Sequence, residues 1–211
     1  MADIPKKDLV VLVADKDIEF TLKGVLASYQ KLGIRQVEND IFVHPGHDPG
    51  CYGKSPDFLR LFISSYKYAL VIFDHDGCGR EKLSRGQIEN DLETRLQTSG
   101  WDKRAVAITI DPELEAWVWS DSPQVDRIVG WEGKVPNLRN WLAEQGFLVE
   151  NEIKPRQPKE ALEATRRKAN KARSSSVFFE LAQKVSFERC MDESFAKLKN
   201  TLRRWFPPET A

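Results

Sequence analysis

From Ala69 to Phe73 the chain reads ALVIF, an unbroken apolar run, and at Asp74 it changes abruptly to DHDGCGR. A short run rich in β-branched residues and bounded by acid and glycine predicts a strand buried on both faces, as in a parallel sheet. Parallel strands cannot be joined by a hairpin, so each must be followed by a crossover long enough to hold a helix.

The rest of the first half fits that requirement. Asp8 to Ala14 (DLVVLVA), Asp40 to Val43 and Arg104 to Ile110 (RAVAITI) are further strand candidates. Between them, Ile18, Leu22, Val25 and Leu26 follow helical spacing up to Gly33. HPGHDPGCYGKSP reads as a loop, whose last two residues, Ser55-Pro56, supply a cap and a first-turn proline for a second helix. Leu83 to Ser99 reads as a charged surface helix ending at Gly100. The alternation predicts an α/β fold with a largely parallel sheet flanked by helices.

Beyond the fourth strand, Asp111, Pro112 and Glu113 read as a helix start, Ser122-Pro123 as another, and Pro136 to Glu144 as a helix stopped by Gly146. From Asn151 the composition shifts: KPRQPK reads as a linker, followed by helices near Lys159 to Lys171, Ser176 to Lys184 and Asp192 to Trp205. The expected organisation is an α/β domain over residues 1–150 and a basic, mainly helical C-terminal extension over 151–211. Residues 1–150 carry 18 basic and 24 acidic side chains and residues 151–211 carry 14 and 8, which together make the 32 and 32 of the neutral whole. Such an asymmetry suits a metal-binding body with a surface for polyanions, or equally a solvated helical face.

No stretch approaches the ~20 apolar residues of a membrane span, and MADIPKKDL lacks the apolar segment of a signal peptide. The expectation is a soluble cytoplasmic protein without membrane partners. Its three cysteines form no C-x-x-C pair and are expected as free thiols. Five of the six tryptophans fall between Trp101 and Trp141, where packing helices on the sheet is their expected use. There is no P-loop, dinucleotide fingerprint, G-x-S-x-G or H-E-x-x-H.

The chemistry-bearing residues gather at strand ends, where open α/β sheets bind ligands. On an extended chain Asp74 and Asp76 point the same way and can offer two carboxylates to one divalent cation; acid and glycine after a strand are also ordinary turn formers. Asp15 and Glu19 share a helix face beside the first strand, or serve as N-cap and first-turn acid. Glu115 sits in an apolar segment where an unpaired carboxylate is costly without a metal, a basic partner or a shifted pKa. His44, His47, Asp48 and Cys51 match no common zinc spacing and are expected in a structured loop near the active face, where His44 could touch a phosphate. Arg166, Arg167, Lys168, Lys171 and Arg173 form the densest basic run, read either as a solvated face or as a phosphate-contacting arm.

DKDIE (Asp15 to Glu19), DHD (Asp74 to Asp76) and PELEAW (Pro112 to Trp117) occur in an order that resembles the TOPRIM-like nuclease-type proteins of bacterial phage-defence islands, the RloB- and OLD-like group. Those proteins carry E-G-x-x-E, D-x-D and P-x-I/L-E-A-W in that order. HPGHDPGC, FDHDGCGRE and the terminal WFP are similar to a nuclease component of methylation-associated defence systems. The resemblance spans about residues 8 to 121 and implies a TOPRIM-like sheet and a nuclease hydrolysing phosphodiesters with Mg²⁺ or Mn²⁺. By this resemblance Asp74 and Asp76 are metal ligands, Asp15 a general acid/base or ligand, Glu19 a ligand or its support, and Glu115 a further ligand or structural acid. Asp15 replaces the family's leading Glu, one methylene shorter and without the following Gly. The implied partners are nucleic acid, DNA rather than RNA, and other components of a defence system. The alternative is a non-catalytic subunit that keeps the fold and binds nucleic acid or a partner protein.

Overall fold

The computed structural model describes residues 6–120, 122–149, 152, 154–188, 190 and 192–209. The expected boundary between residues 150 and 151, the first five residues and the end of the motif region at residue 121 lie outside the described residues.

Four strands, β1 (Lys7–Val13), β2 (Asn39–Val43), β3 (Tyr66–Asp74) and β4 (Ala105–Ile110), form one all-parallel sheet in the order β2-β1-β3-β4. The apolar runs become strands because both faces are covered: Leu9 to Val13 and Ala69 to Phe73 are shut off from solvent almost completely. Helices α1 (Lys16–Ala27) and α2 (Tyr29–Leu32) connect β1 to β2, α3 (His47–Arg60) connects β2 to β3, and α4 (Arg85–Leu96) connects β3 to β4. Gly33, with φ of 70°, ends the first connection in the left-handed conformation that glycine adopts without penalty. The chain goes from β1 outward to β2 and then returns past β1 to β3. The β1/β3 pair is therefore the point where the winding reverses.

All described elements after β4 are helical: α5 (Glu115–Val118), α6 (Pro123–Ile128), α7 (Leu138–Glu144), α8 (Pro158–Lys168), α9 (Ser176–Lys184) and α10 (Glu193–Trp205). They pack on the sheet layer. Phe179 and Ala182 of α9 lie against Gly24 of α1 so closely that a Cβ there would sit 2.7 Å from the Phe179 carbonyl oxygen. Trp205 of α10 stacks on Tyr68 of β3 at 4.5 Å, and the Trp117 indole N–H donates to Ser194 at 2.8 Å. All six tryptophans are buried, in keeping with a packing role.

Edge strand β4 shows how the charged helix α4 is used. The outward N–H groups of Ala107 and Thr109 donate to Glu93 and Glu89, at 3.1 and 2.9 Å. Lys197 of α10 then bridges the two carboxylates, at 2.7 Å from Glu93 and 3.1 Å from Glu89. The expected surface helix thus closes a sheet edge that would otherwise present open hydrogen-bonding groups.

Two expected features are corrected. Of the stretch expected as a loop, His44, Pro45 and Gly46 do lie outside any helix, but α3 begins at His47 and runs on to Arg60, so Ser55-Pro56 lies inside it and does not start a helix. Pro49 falls in the first turn, where no N–H is needed for an intrahelical bond. Gly50 leaves room for the buried His44 ring: a Cβ at Gly50 would meet His44 Nδ1 at 2.2 Å. Likewise, Asp111, Pro112 and Glu113 do not begin a helix. They form a turn with a cis Asp111–Pro112 peptide, and α5 begins at Glu115.

The two glycines of α3 should respond oppositely to alanine. Gly50→Ala forces His44 to move and should cost about 1–3 kcal/mol. Gly53→Ala, with nothing within 4 Å of its Cβ position, should gain roughly 0.5–1 kcal/mol. Urea unfolding midpoints of the two variants check both signs.

Candidate functional site

The carboxyl ends of β1 and β3 lie where the winding reverses, the place where open α/β sheets bind ligands. Asp74 is the last residue of β3. Its Oδ1 is enclosed and has no hydrogen-bond partner. Its backbone N–H donates to Asp48 Oδ1 at 2.8 Å, which brings the first turn of α3 onto the end of β3. Burial, then the charges of Asp48, Glu115, Asp15 and Glu113, push the Asp74 carboxyl well above the usual carboxylate range. Five acids from four separate segments therefore share one electrostatic neighbourhood.

Each acid has a distinct local reason for its position. Asp15 is the N-cap of α1 and accepts from the Ile18 N–H at 2.8 Å, so its capping role is realised. Asp48 is raised by burial and by Asp15, against the hydrogen bond from Asp74 N–H. Glu113 and Glu115 are buried after β4. Glu113 accepts from Lys159 through its backbone N–H at 3.1 Å and its Nζ at 3.4 Å, yet burial still raises it. Glu115 is pushed up to about 7, first by burial and then by Glu113, with its own backbone N–H and Lys159 opposing. Lys159, in the first turn of α8, is held charged by Glu113 and Glu115 against its own burial.

The remaining expected site residues are placed as follows. Asp76 lies beyond the end of β3, exposed, with its N–H donated to the Pro112 carbonyl at 3.0 Å. Glu19 is buried but engaged: Lys16 and Lys23 each bind one of its oxygens at 2.7 Å. Burial acts to raise its carboxyl, and the two ammonium groups overcome this and hold it below its ordinary range. His44 Nδ1 accepts from the Gly46 N–H at 2.9 Å, and burial lowers its pKa. His47 lies 3.2 Å from the Ala14 carbonyl oxygen, and Cys51 is a buried thiol raised by burial. His75 bridges Asp111 and the Leu83 carbonyl, at 3.3 and 2.9 Å, tying the turn after β4 to the glycine-rich loop after β3. Of the basic run, Arg166 is buried while Arg167, Lys168, Lys171 and Arg173 are exposed; Arg173 reaches Asp17 at 3.7 Å.

Asp48, Glu113 and Lys159 are the members that motif reasoning did not assign to this centre. Asp48 stands among histidines in the amino-acid order, and nothing in its spacing points to Asp74, 26 residues away. The Lys16-Glu19-Lys23 spacing did hold a readable signal, since these are i,i+3 and i,i+4 neighbours on one helix.

Among the described residues, no three His, Cys, Asp or Glu side chains already stand in metal-holding geometry. The donor set nevertheless suits a hard divalent cation, which takes carboxylate oxygens, and the unpartnered Asp74 oxygen is a donor without an assignment. Fold and site together define an α/β protein with a carboxylate centre at the switch point of a parallel sheet. No family model matches the chain, and no curated protein or solved structure does either. No described helix is long and apolar enough to cross a membrane.

Because Glu115 is raised above its unfolded value, its proton is held more tightly in the folded chain, and stability falls as pH rises from about 4.5 to about 7. Without divalent ions, Glu115→Gln should remove Glu115's share of that slope, leaving the share of Asp74, Asp48 and Glu113, and make the protein up to about 3 kcal/mol more stable than wild type at pH 8. Urea titrations at pH 5 and pH 8 in EDTA check this; equal pH dependence in both proteins contradicts it.

Proposed function

We propose that the chain is a divalent-metal-dependent phosphodiester hydrolase, a nuclease, with its centre at Asp74. The observation that carries this reading is the enclosed, unpartnered Asp74 Oδ1, surrounded by Asp15, Asp48, Glu113 and Glu115 at the carboxyl end of the sheet. Burying like charges together is costly unless a cation or proton offsets them. Lys159 supplies only one positive charge on that side.

Asp74, Asp48 and Asp15 are the groups that would hold Mg²⁺ or Mn²⁺, with the exposed Asp76 two residues beyond Asp74 as a further carboxylate. Such an ion supplies charge stabilisation at the scissile phosphate and a readily deprotonated water. Glu115, titrating near neutrality, is suited to give or accept a proton at its carboxyl oxygen. Asp15 can cap α1 through Oδ1 and still present Oδ2. The sequence resemblance supports a TOPRIM-like assignment, DNA as substrate and a setting in bacterial antiphage defence.

A second reading is a nucleic-acid- or partner-binding subunit that keeps the fold without the chemistry. The engagement of Glu19 by two lysines and the lack of a ready-made metal cluster among the described residues favour it. Calorimetric titration with Mn²⁺ separates the two readings. Wild type should bind and should cleave plasmid or single-stranded DNA, and Asp74→Asn should lose both while remaining folded. Wild type that binds no Mn²⁺ and leaves DNA intact overturns the hydrolase.

A further inference from the structure

The basic run is organised by a helix cap. Helix α8 ends at Lys168; Asn170 adopts φ of 55°, and the N–H groups of Asn170 and Lys171 return to the carbonyls of Arg167 and Arg166, at 3.2 and 2.8 Å. This is a Schellman turn, with asparagine at the left-handed position. It folds residues 171 to 173 back beside the last turn, where the Arg166 guanidinium donates to the Ala172 carbonyl at 2.7 Å. Gly130 lies beneath: its missing Cβ would stand 3.6 Å from Lys171 Cδ.

The result is a cavity of about 290 Å³ lined by Arg166, Arg167, Lys171, Arg173 and Glu163. Cations at a helix C-terminus are commonly explained by the helix dipole. Here the carbonyls of Arg166 and Arg167 are already satisfied by the turn, and the four cations of the lining have two carboxylates in reach, Glu163 and Asp17, both at Arg173. Among the described residues Glu163 pairs with Arg173, at 3.9 Å. Arg166 is 6% exposed, and its Nε is enclosed without a hydrogen-bond partner. Arg167 and Lys171 make no ion pair among the described residues. A buried guanidinium N–H without an acceptor, walled by further cations, is a site for an anion with several acceptor oxygens. The cavity also borders the acidic centre: Arg173 lies 3.7 Å from Asp17, and Arg166 is acted on by the charges of Asp17 and Glu115.

We propose that this cavity is a subsite for a second phosphate of a nucleic-acid strand whose scissile phosphate lies at the acidic centre. The inference rests on the hydrolase reading and narrows its substrate class: a polynucleotide reaches both sites, whereas a small phosphate monoester reaches one.

The test is fluorescence anisotropy with a labelled 12-nucleotide single-stranded DNA in EDTA, so that binding is read without metal or cleavage. Arg173→Gln and Lys171→Gln alter exposed side chains and leave the Arg166 bond to Ala172 in place. Each should weaken binding about tenfold and reduce the slope of log affinity against log salt by about 0.7, the value for one lost single-strand phosphate contact. Lys103→Gln makes the same charge change in an exposed segment before β4, at the opposite end of the strands, and should alter affinity less than about twofold. Unchanged binding in both cavity variants, or an equal loss in Lys103→Gln, overturns the subsite. Mn²⁺-dependent cleavage by wild type judges the hydrolase separately. If the cavity variants lose affinity and wild type cleaves nothing, the cavity stands as a nucleic-acid phosphate site and the hydrolase falls.

Discussion

The parallel pairing of β1 with β3 is the interaction on which the rest depends. Because β2 lies on the far side of β1, the chain must cross back over it, and the two connections leave the sheet in opposite directions. That reversal sets the carboxyl ends of β1 and β3 side by side as a switch point, with Asp15 and Asp74 at the two strand ends. The same crossing carries the first turn of α3 past the switch point, where Asp48 receives the Asp74 N–H. A sheet with these strands in another order would keep the same core residues and lose the centre.

The centre is expensive by construction. Asp74, Asp48, Glu113 and Glu115 are pushed toward their neutral forms by burial at an apolar sheet end, and Lys159 offsets this only in part. Elsewhere the chain neutralises buried acids thoroughly. Asp8 binds both Arg35 and Lys67, Glu19 binds two lysines, and Glu89 binds Arg85 and Lys197 as well as a backbone N–H of β4. The contrast between satisfied acids in the framework and an unpartnered oxygen on Asp74 is what sets the centre apart from ordinary ion pairing.

The helices after β4 contribute to the centre as well as covering the sheet. Helix α8 delivers Lys159 from its first turn to the acids and Arg166 from its last turn to the basic cavity, so opposite charges border one another along a single helix. Its position is set by packing on α5 and by the Trp119 indole N–H, which donates to the Pro158 carbonyl at 2.9 Å. Through these contacts the acidic first part of the chain and the basic last part form one polar surface.

Much of this was legible in the amino-acid order. The four strand candidates became the four strands, Ser122 caps the helix it precedes, and Asp15 and Asp74 stand at strand ends, because periodicity and capping depend on near neighbours. The start of α3 escaped because Gly and Pro usually break helices, and here Gly50 is required by a ring that only tertiary packing brings over it. Asp111 and Glu113 resembled a helix start, yet Asp111 faces His75 and Glu113 faces Lys159, partners 36 and 46 residues away. Local order thus determined which segments are strands and helices and which acids end them. Strand order and helix docking decided which acids meet and which find a cation, because a charge responds to its neighbours in space.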